Sequence, residues 1–355
     1  MKNKLIFLIC IIFIALILKL STLSKSLIEN FYSRALYKGL AGNLNKLSGK
    51  FSFSLGEILL VIFTLLLILF IIFTIKNLIT EKERLKTLFN FLYVIVCIAI
   101  ILYIIFMSIW GLNYYRVPLI DNYSDYDKKQ IGNEDIYALT EYLIKDINDL
   151  KNQMKYQNIN TNYQALNRMV EADYKNIFEE FDFLNMHYIR TKPIKSSKLF
   201  LYLQILGIYN PFTFESNVNT LIPYVSFPFT IAHEISHQIG ISYEDEANFL
   251  AYLVCSKSAD LFIRYSGNFE TLLYFLGELN RDENYGHLIN NLNEETKEEI
   301  IEYNKFWSRY SGKLSKVSEK VNDAYLKANS QKEGVRSYSR VVRLLVYYYR
   351  SKNSL

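Results

Sequence analysis

The chain has 355 residues, is 51% hydrophobic and carries a net charge of +5, which is length enough for a membrane section plus one well-buried domain. The charge is uneven: residues 1–115 hold twelve Lys/Arg against four Asp/Glu, while residues 116–355 hold twenty-eight against thirty-one. The positive excess therefore belongs to the apolar N-terminal section, where it sets topology, and nucleic-acid binding is left without support.

Leu5–Leu18 is an unbroken apolar run behind Lys2 and Lys4, short for a span and similar in form to a signal-peptide core. Leu20 to Leu23 lengthens it, with Lys19 snorkelling, and no small-x-small cleavage site follows; an uncleaved span over about 5–23 is expected. Two further spans are expected over about 55–75 and 88–112, from the charge-free runs Ile58–Ile75 and Leu88–Leu112. Between them Lys76–Lys86 packs four Lys/Arg into eleven residues, the mark of a short cytoplasmic loop. Trp110, Tyr114 and Tyr115 read as an interfacial aromatic belt, and residues 116 onward then emerge on the extracytoplasmic side. The contrary signal is the 21–54 loop, with Lys25, Arg34, Lys38, Lys46 and Lys50. The expected division is a membrane section, 1–115, and a second domain, 116–355.

In the second domain, Asn133–Gln153 reads as an amphipathic helix with Glu134 and Asp135 in its first turn and Ile136, Leu139, Leu143 and Ile147 on one face. A second helix is expected from Asn162 to Phe181. Four of the five prolines, Pro193, Pro211, Pro223 and Pro228, fall between residues 193 and 228, which leaves room for a short helix near Ser197–Leu206 and one or two short strands within Asn210–Val225. An extended segment there is either an ordinary loop or an edge that pairs with a peptide backbone.

Ile231-Ala232-His233-Glu234-Ile235-Ser236-His237 follows. On a helix, positions i and i+4 share a face, so His233 and His237 can both offer a nitrogen to one Zn²⁺. Glu234, beside them, is placed to take a proton from water activated by the metal and pass it to a leaving amine. Only four histidines occur in the chain and two are here, on a segment whose apolar flanks imply burial, where polar groups need partners. Pro228 fits the opening turn, and Gly240 fits a left-handed C-terminal turn. Ser242 is placed to cap the next helix, with Asp245 at the reciprocal position, and that helix is expected to run to about Ile263. Its first turn holds Glu244, Asp245 and Glu246. A catalytic zinc takes a third protein ligand, and Glu244 is preferred because it shares a face with Ala247, Asn248 and Ala251; Glu246 is the alternative. Asn248 can orient a ligating group. The three cysteines, Cys10, Cys97 and Cys255, are scattered and make neither a disulfide framework nor a cysteine zinc site.

The stretch His233–Leu253, HEISHQIGISYEDEANFLAYL, resembles the gluzincin-type zinc metallopeptidases. It is most similar to an uncharacterised family of bacterial membrane-anchored proteins of unknown function that carry N-terminal spans and this His-Glu-x-x-His core. The resemblance takes in Trp110-Gly111-Leu112-Asn113-Tyr114, Pro211-Phe212-Thr213 and Gly334-Val335-Arg336-Ser337-Tyr338. It implies His233 and His237 as ligands, Glu234 as base and Glu244 as third ligand. The six-residue gap before Glu244 is shorter than usual in gluzincins, and Asn248 replaces the Asp often found there. Gly240 also suits a metzincin, but Tyr243 stands where that class has its third His.

Asn268–Asn280, Glu294–Asn329 and Gly334–Tyr349 read as helices. Tyr338, Arg336 and His287 are candidate oxyanion donors, each with an ordinary structural alternative, and His187 is read as structural. The expected molecule is mainly α-helical: three transmembrane helices, then a helical zincin-like domain with one or two short strands. It would be a multi-pass protein of the bacterial cell membrane that hydrolyses envelope or membrane-proximal polypeptides with Zn²⁺; the alternative is a non-catalytic zinc-binding sensor. A transporter or channel is disfavoured because the apolar runs hold almost no ionisable group.

Overall fold

The computed structural model describes residues 2–80, 82–122, 131–329, 331 and 340–352. It is mainly helical, with one small sheet. Helices α1 (Lys2–Ser21), α2 (Leu55–Thr80) and α3 (Arg84–Ile109) are long and apolar enough to cross a membrane. Both α1 and α2 pack on α3, and most of their large apolar side chains face outward, as lipid-facing surfaces do. The third run ends at Ile109 rather than Leu112. Residues Gly111–Tyr115 tighten into a 3₁₀ turn that enters the protein core.

That turn corrects the expected aromatic belt. Trp110 and Tyr114 are buried in protein, Trp110 against Tyr37, Tyr209 and His237. Only Tyr115 keeps the expected kind of contact, accepting a 3.2 Å hydrogen bond from Lys19 at the end of α1.

The segment between α1 and α2 is one continuous helix, here the bridging helix: Lys25–Leu27, a π-helical stretch Ile28–Tyr37, then Lys38–Ser48. It packs Ile28, Tyr32, Tyr37 and Ala41 into the same core as the residues after 110. Glu29 on this helix is buried and receives Arg116 Nε at 3.0 Å and Nη2 at 2.9 Å, with Arg34 Nε at 2.7 Å. Burial alone would raise its pKa; Arg116 and then Arg34 hold it below the usual carboxylate range. The residues expected to be a membrane loop therefore share a core with the second domain.

Beyond Arg116, α4 (Asn133–Met154) and α5 (Tyr163–Glu180, capped by the Asn162 side chain) form as the apolar periodicity predicts. Strand β1 (Thr191–Pro193), the short helix α6 (Ser197–Tyr202), β2 (Gly207–Asn210) and β3 (Glu215–Val218) follow. The sheet has the order β1-β3-β2, with β1 parallel and β2 antiparallel to β3. Among the described residues, three strands form instead of the expected one or two: β1 lies wholly before Asn210, β2 starts three residues before it, and Tyr224–Ser226 is 3₁₀ rather than extended. Glu215 fastens this sheet to the head of α2: it pairs with the buried Lys192 and accepts from the Gly56 N–H at 2.8 Å. Glu57 accepts from the N–H groups of Lys195 and Ser196, both at 2.9 Å.

Helices α7 (Phe227–Gln238) and α8 (Glu244–Ser256) pack on each other, and α8 also packs on α9 (Leu261–Glu278). Two expected helix boundaries change here. The helix from Glu244 stops at Ser256, because Asp260 caps a new one by accepting from Phe262 and Ile263 N–H. The expected 294–329 helix divides into α11 (Glu294–Ser308) and α12 (Lys313–Ala328), after a short α10 (Tyr285–Asn290), with Gly312 donating its N–H to the Ser315 hydroxyl at the break. Helix α13 (Arg340–Ser351) closes against α8 and α4.

Arg116→Ala removes the bidentate partner of a buried carboxylate and is expected to cost about 3–5 kcal/mol. It would appear as a lower apparent Tm of the detergent-solubilised chain, and an unchanged Tm would show the Glu29–Arg116 pair to be dispensable.

Candidate metal centre

Pro228 lies in the first turn of α7, and the helix ends at Gln238 because Gly240 takes φ +98°, in the left-handed region. The N–H of Gly240 bonds to His237 O at 3.0 Å and that of Ile241 to Ser236 O at 3.1 Å, the paired bonds of a Schellman turn. The turn leaves the Ile241 carbonyl facing back at the helix, where His237 Nδ1 donates to it at 2.7 Å. His233 Nδ1 donates to Asn248 Oδ1, also at 2.7 Å. A carbonyl only accepts, so His237 carries its proton on Nδ1; with Asn248 presenting oxygen, His233 does the same. In the neutral rings the lone pair then sits on Nε2, the form in which imidazole binds a metal, and an ion bound there would displace the proton that Glu244 otherwise draws onto that side of His237.

The two Nε2 atoms meet Glu244, the first residue of α8. Its Oε2 lies 3.3 Å from His233 Nε2 and 3.7 Å from His237 Nε2, and the two rings stand perpendicular with centroids 4.7 Å apart. Among the described residues, these three form the cluster whose ligand atoms all fall within 4.8 Å of one another. Ligands bonded to a tetrahedral ion at about 2.05 Å stand about 3.3 Å apart, so the cluster is of metal-holding size. Ala247 and Ala251, fully buried on α8, permit the close approach of the two helices.

The shifts of Glu244 and His237 are one interaction seen from two sides. Burial would raise the Glu244 pKa, but His237 and the bonds to both imidazoles hold it far below the carboxylate range. Burial would lower the His237 pKa, and Glu244 overrides it, to about 9.

Glu234 is 4% exposed and has one carboxylate oxygen with no hydrogen-bond partner among the described residues. Burial raises its pKa to about 7, with His233 and His237 offsetting part of the rise. Its carboxylate lies on Gly207 of β2, where a Cβ would stand 2.5 Å from Oε1. Since Leu206 O accepts from Asn219 N across the sheet, the alternation of the antiparallel pair turns the backbone groups of Gly207 and Tyr209 away from β3. The free edge of β2 therefore runs past Glu234.

Glu246 is not part of the cluster. Its Oε1 accepts from the Leu119 N–H at 2.7 Å, which anchors the chain after Arg116, and burial with Asp245 nearby raises its pKa to about 8. Ser242 does not cap α8: the N-cap is Tyr243, without a side-chain bond, and the Tyr243 hydroxyl instead donates to Tyr114 O at 2.8 Å. Asp245 pairs with Arg340 Nε at 2.9 Å. His287 is exposed on α10 and meets Asn291, with no hydrogen bond to the cluster among the described residues, and His187 is exposed as well. Arg336 and Tyr338 lie outside the described residues, as does the whole of Gly334-Val335-Arg336-Ser337-Tyr338.

Two phenols stand where donors were sought. The Tyr114 hydroxyl donates to the Tyr325 hydroxyl at 3.0 Å, the Trp110 indole can reach both, and the Glu244 charge bears on both. Tyr325, accepting from Tyr114, keeps its own proton to give. Trp110 and Tyr114 were marked by their motif, whereas Tyr325 is one of 29 tyrosines and nothing in the sequence singles it out.

A membrane-associated helical protein with a partly buried His-His-Glu cluster on two packed helices is the class these features define. The chain belongs to the family described as protein of unknown function (DUF3810), whose model matches residues 32–346. No curated protein and no solved structure matches it.

Asn248→Ala frees the His233 ring and is expected to lower divalent-metal affinity about 10- to 100-fold, measured by competition with a chromogenic chelator. Unchanged affinity would show that Asn248 does not orient the ring.

Proposed function

We propose that this chain is a membrane-anchored zinc metallopeptidase that hydrolyses peptide bonds. The observation that carries the proposal is the convergence of His233 Nε2, His237 Nε2 and a Glu244 oxygen, both Nδ1 atoms tied back, beside a buried carboxylate with an unpartnered oxygen. Those three side chains would hold the ion. Zinc in such a cage supplies Lewis acidity, polarising a carbonyl and making water deprotonate near neutral pH. Glu234 accepts that proton and returns it to the leaving amine. The outer edge of β2 offers N–H and C=O groups to an extended substrate, and Gly207 lets that backbone and Glu234 come close. Tyr325 donates to the oxygen on which negative charge develops.

The bridging helix precedes α2, and residues 110 onward follow α3, yet the two share a core. They therefore lie on one side of the bilayer, opposite the facing ends of α2 and α3, where Lys76, Lys82, Arg84 and Lys86 gather. By the positive-inside rule those ends are cytoplasmic, which makes the site extracytoplasmic and favours membrane-proximal or envelope polypeptides as substrates.

Glu234→Gln is expected to retain metal while kcat on a cleaved library peptide falls about 100- to 10,000-fold. A wild-type chain that binds zinc and cleaves nothing across a broad peptide library would support the sensor alternative instead, since a site without turnover has no use for Glu234. Tyr325→Phe is expected to lower kcat about 100-fold with little change in KM. An equal loss through KM alone would assign Tyr325 to ground-state binding.

A further inference from the structure

We propose that the bridging helix, residues 25–48, is an interfacial helix whose outer face is sunk into the boundary between lipid headgroups and acyl chains, which seats the His233–His237–Glu244 cleft at the lipid surface. This concerns the placement of the site and stands whether or not the site turns over peptides.

The helix has two apolar faces, and only one has a protein partner. Ile28, Tyr32, Tyr37 and Ala41 are buried in the core. Leu27 (46% exposed), Phe31 (70%), Leu36 (68%), Leu40 (41%) and Leu47 (53%), each one position before a buried residue, line the adjoining flank about 100° round the helix, a density of large apolar side chains that a water-facing helix does not carry. The step from Phe31 to Leu36 is five residues, and it falls within the π-helical stretch Ile28–Tyr37, whose i→i+5 turn keeps Leu36 on the same face as Phe31.

Continuity with the spans says what covers this face. Three residues separate α1 from Lys25, and six separate Ser48 from α2. At about 3.4 Å per residue, the helix ends lie within roughly 10 Å and 20 Å of helices that run through hydrocarbon. A helix of 24 residues is about 36 Å long, so with both ends tied it lies along the surface rather than rising from it. Its buried face carries the metal domain, which leaves the apolar flank beside it toward lipid. Charge agrees: Lys25, Lys46 and Lys50 are exposed, Lys38 is half-buried, and the one acid between residues 22 and 54, Glu29, is neutralised inside by Arg116. A surface with cations and no free acid matches anionic headgroups.

The link to the site is direct. The Tyr37 hydroxyl donates to Gln238 O, at the end of the metal helix, at 2.8 Å and lies 3.1 Å from the hydroxyl of Tyr209 on the edge strand.

The test uses the full chain, with Cys10, Cys97 and Cys255 replaced, spin-labelled at Phe31→Cys, Leu36→Cys or Tyr156→Cys and reconstituted in vesicles of phosphatidylcholine with a minority of phosphatidylglycerol. Labels at 31 and 36 are expected to collide with oxygen in preference to an aqueous nickel chelate, at a depth just below the phosphates. The label at 156, where the native residue is 90% exposed, should do the reverse. Nickel accessibility at 31 and 36 matching that at 156 overturns the proposal. So does closure to both reagents, which would give the face to a second copy or another protein. Should the cysteine-free chain not fold, Leu36→Trp in the natural chain, scored against the parent with Trp110 and Trp307, gives the same answer through quenching by brominated lipid.

Discussion

Glu244 is buried against two imidazole nitrogens, and a carboxylate left alone there would cost several kcal/mol, so the surrounding elements are arranged to keep the three groups together. The Schellman turn ends α7 and at once supplies the acceptor for His237. Asn248, one turn along α8 from Glu244, supplies the acceptor for His233. The alanines of α8 set how near the helices come. Gly207 sets how near β2 comes to Glu234, and Tyr37 and Arg116 hold the end of α7 at the carbonyls of Gln238 and Gly240.

The part of this that repeats at helical spacing was legible in the sequence. His233, Glu234 and His237 needed only the i, i+4 rule, and Gly240 needed only the rule that a helix ends where a left-handed residue is cheap. The small residues on its face point to Glu244 rather than Glu246, and the fold brings Glu244 to the two histidines while Glu246 is spent on a backbone N–H of another segment. The apolar runs of α1, α2 and α3 were equally plain, and their lengths bear out the expectation of helices long enough to cross a membrane.

What depended on long-range pairing was not legible. The Ser242 cap failed because local capping logic competes with tertiary bonds: Tyr243 occupies the cap and is held by Tyr114, 129 residues away. Helices were drawn too long where a polar residue restarts the chain, at Asp260, and where Gly312 breaks it. Trp110 and Tyr114 were assigned to the lipid interface on composition, since an aromatic at the end of a span looks the same whether its neighbour is a headgroup or His237. Tyr325 lies 81 residues from Glu244 in sequence, and no period or motif connects them.

The grip on the end of the metal helix has a consequence for how the molecule is put together. Gly240 is pressed by the Tyr37 ring, its carbonyl is held by Arg116 at 3.2 Å, and His237 packs edge-on to Trp110. Two of these three residues precede position 111: Tyr37 lies between α1 and α2, and Trp110 directly follows α3. A fragment cut free at residue 116 would lose one wall of its own cleft and expose the apolar underside of α7. The anchor and the cleft are thus not joined like a blade to a handle: segments that lie before and after the apolar helices in sequence must meet at the end of α7 before the cleft is complete.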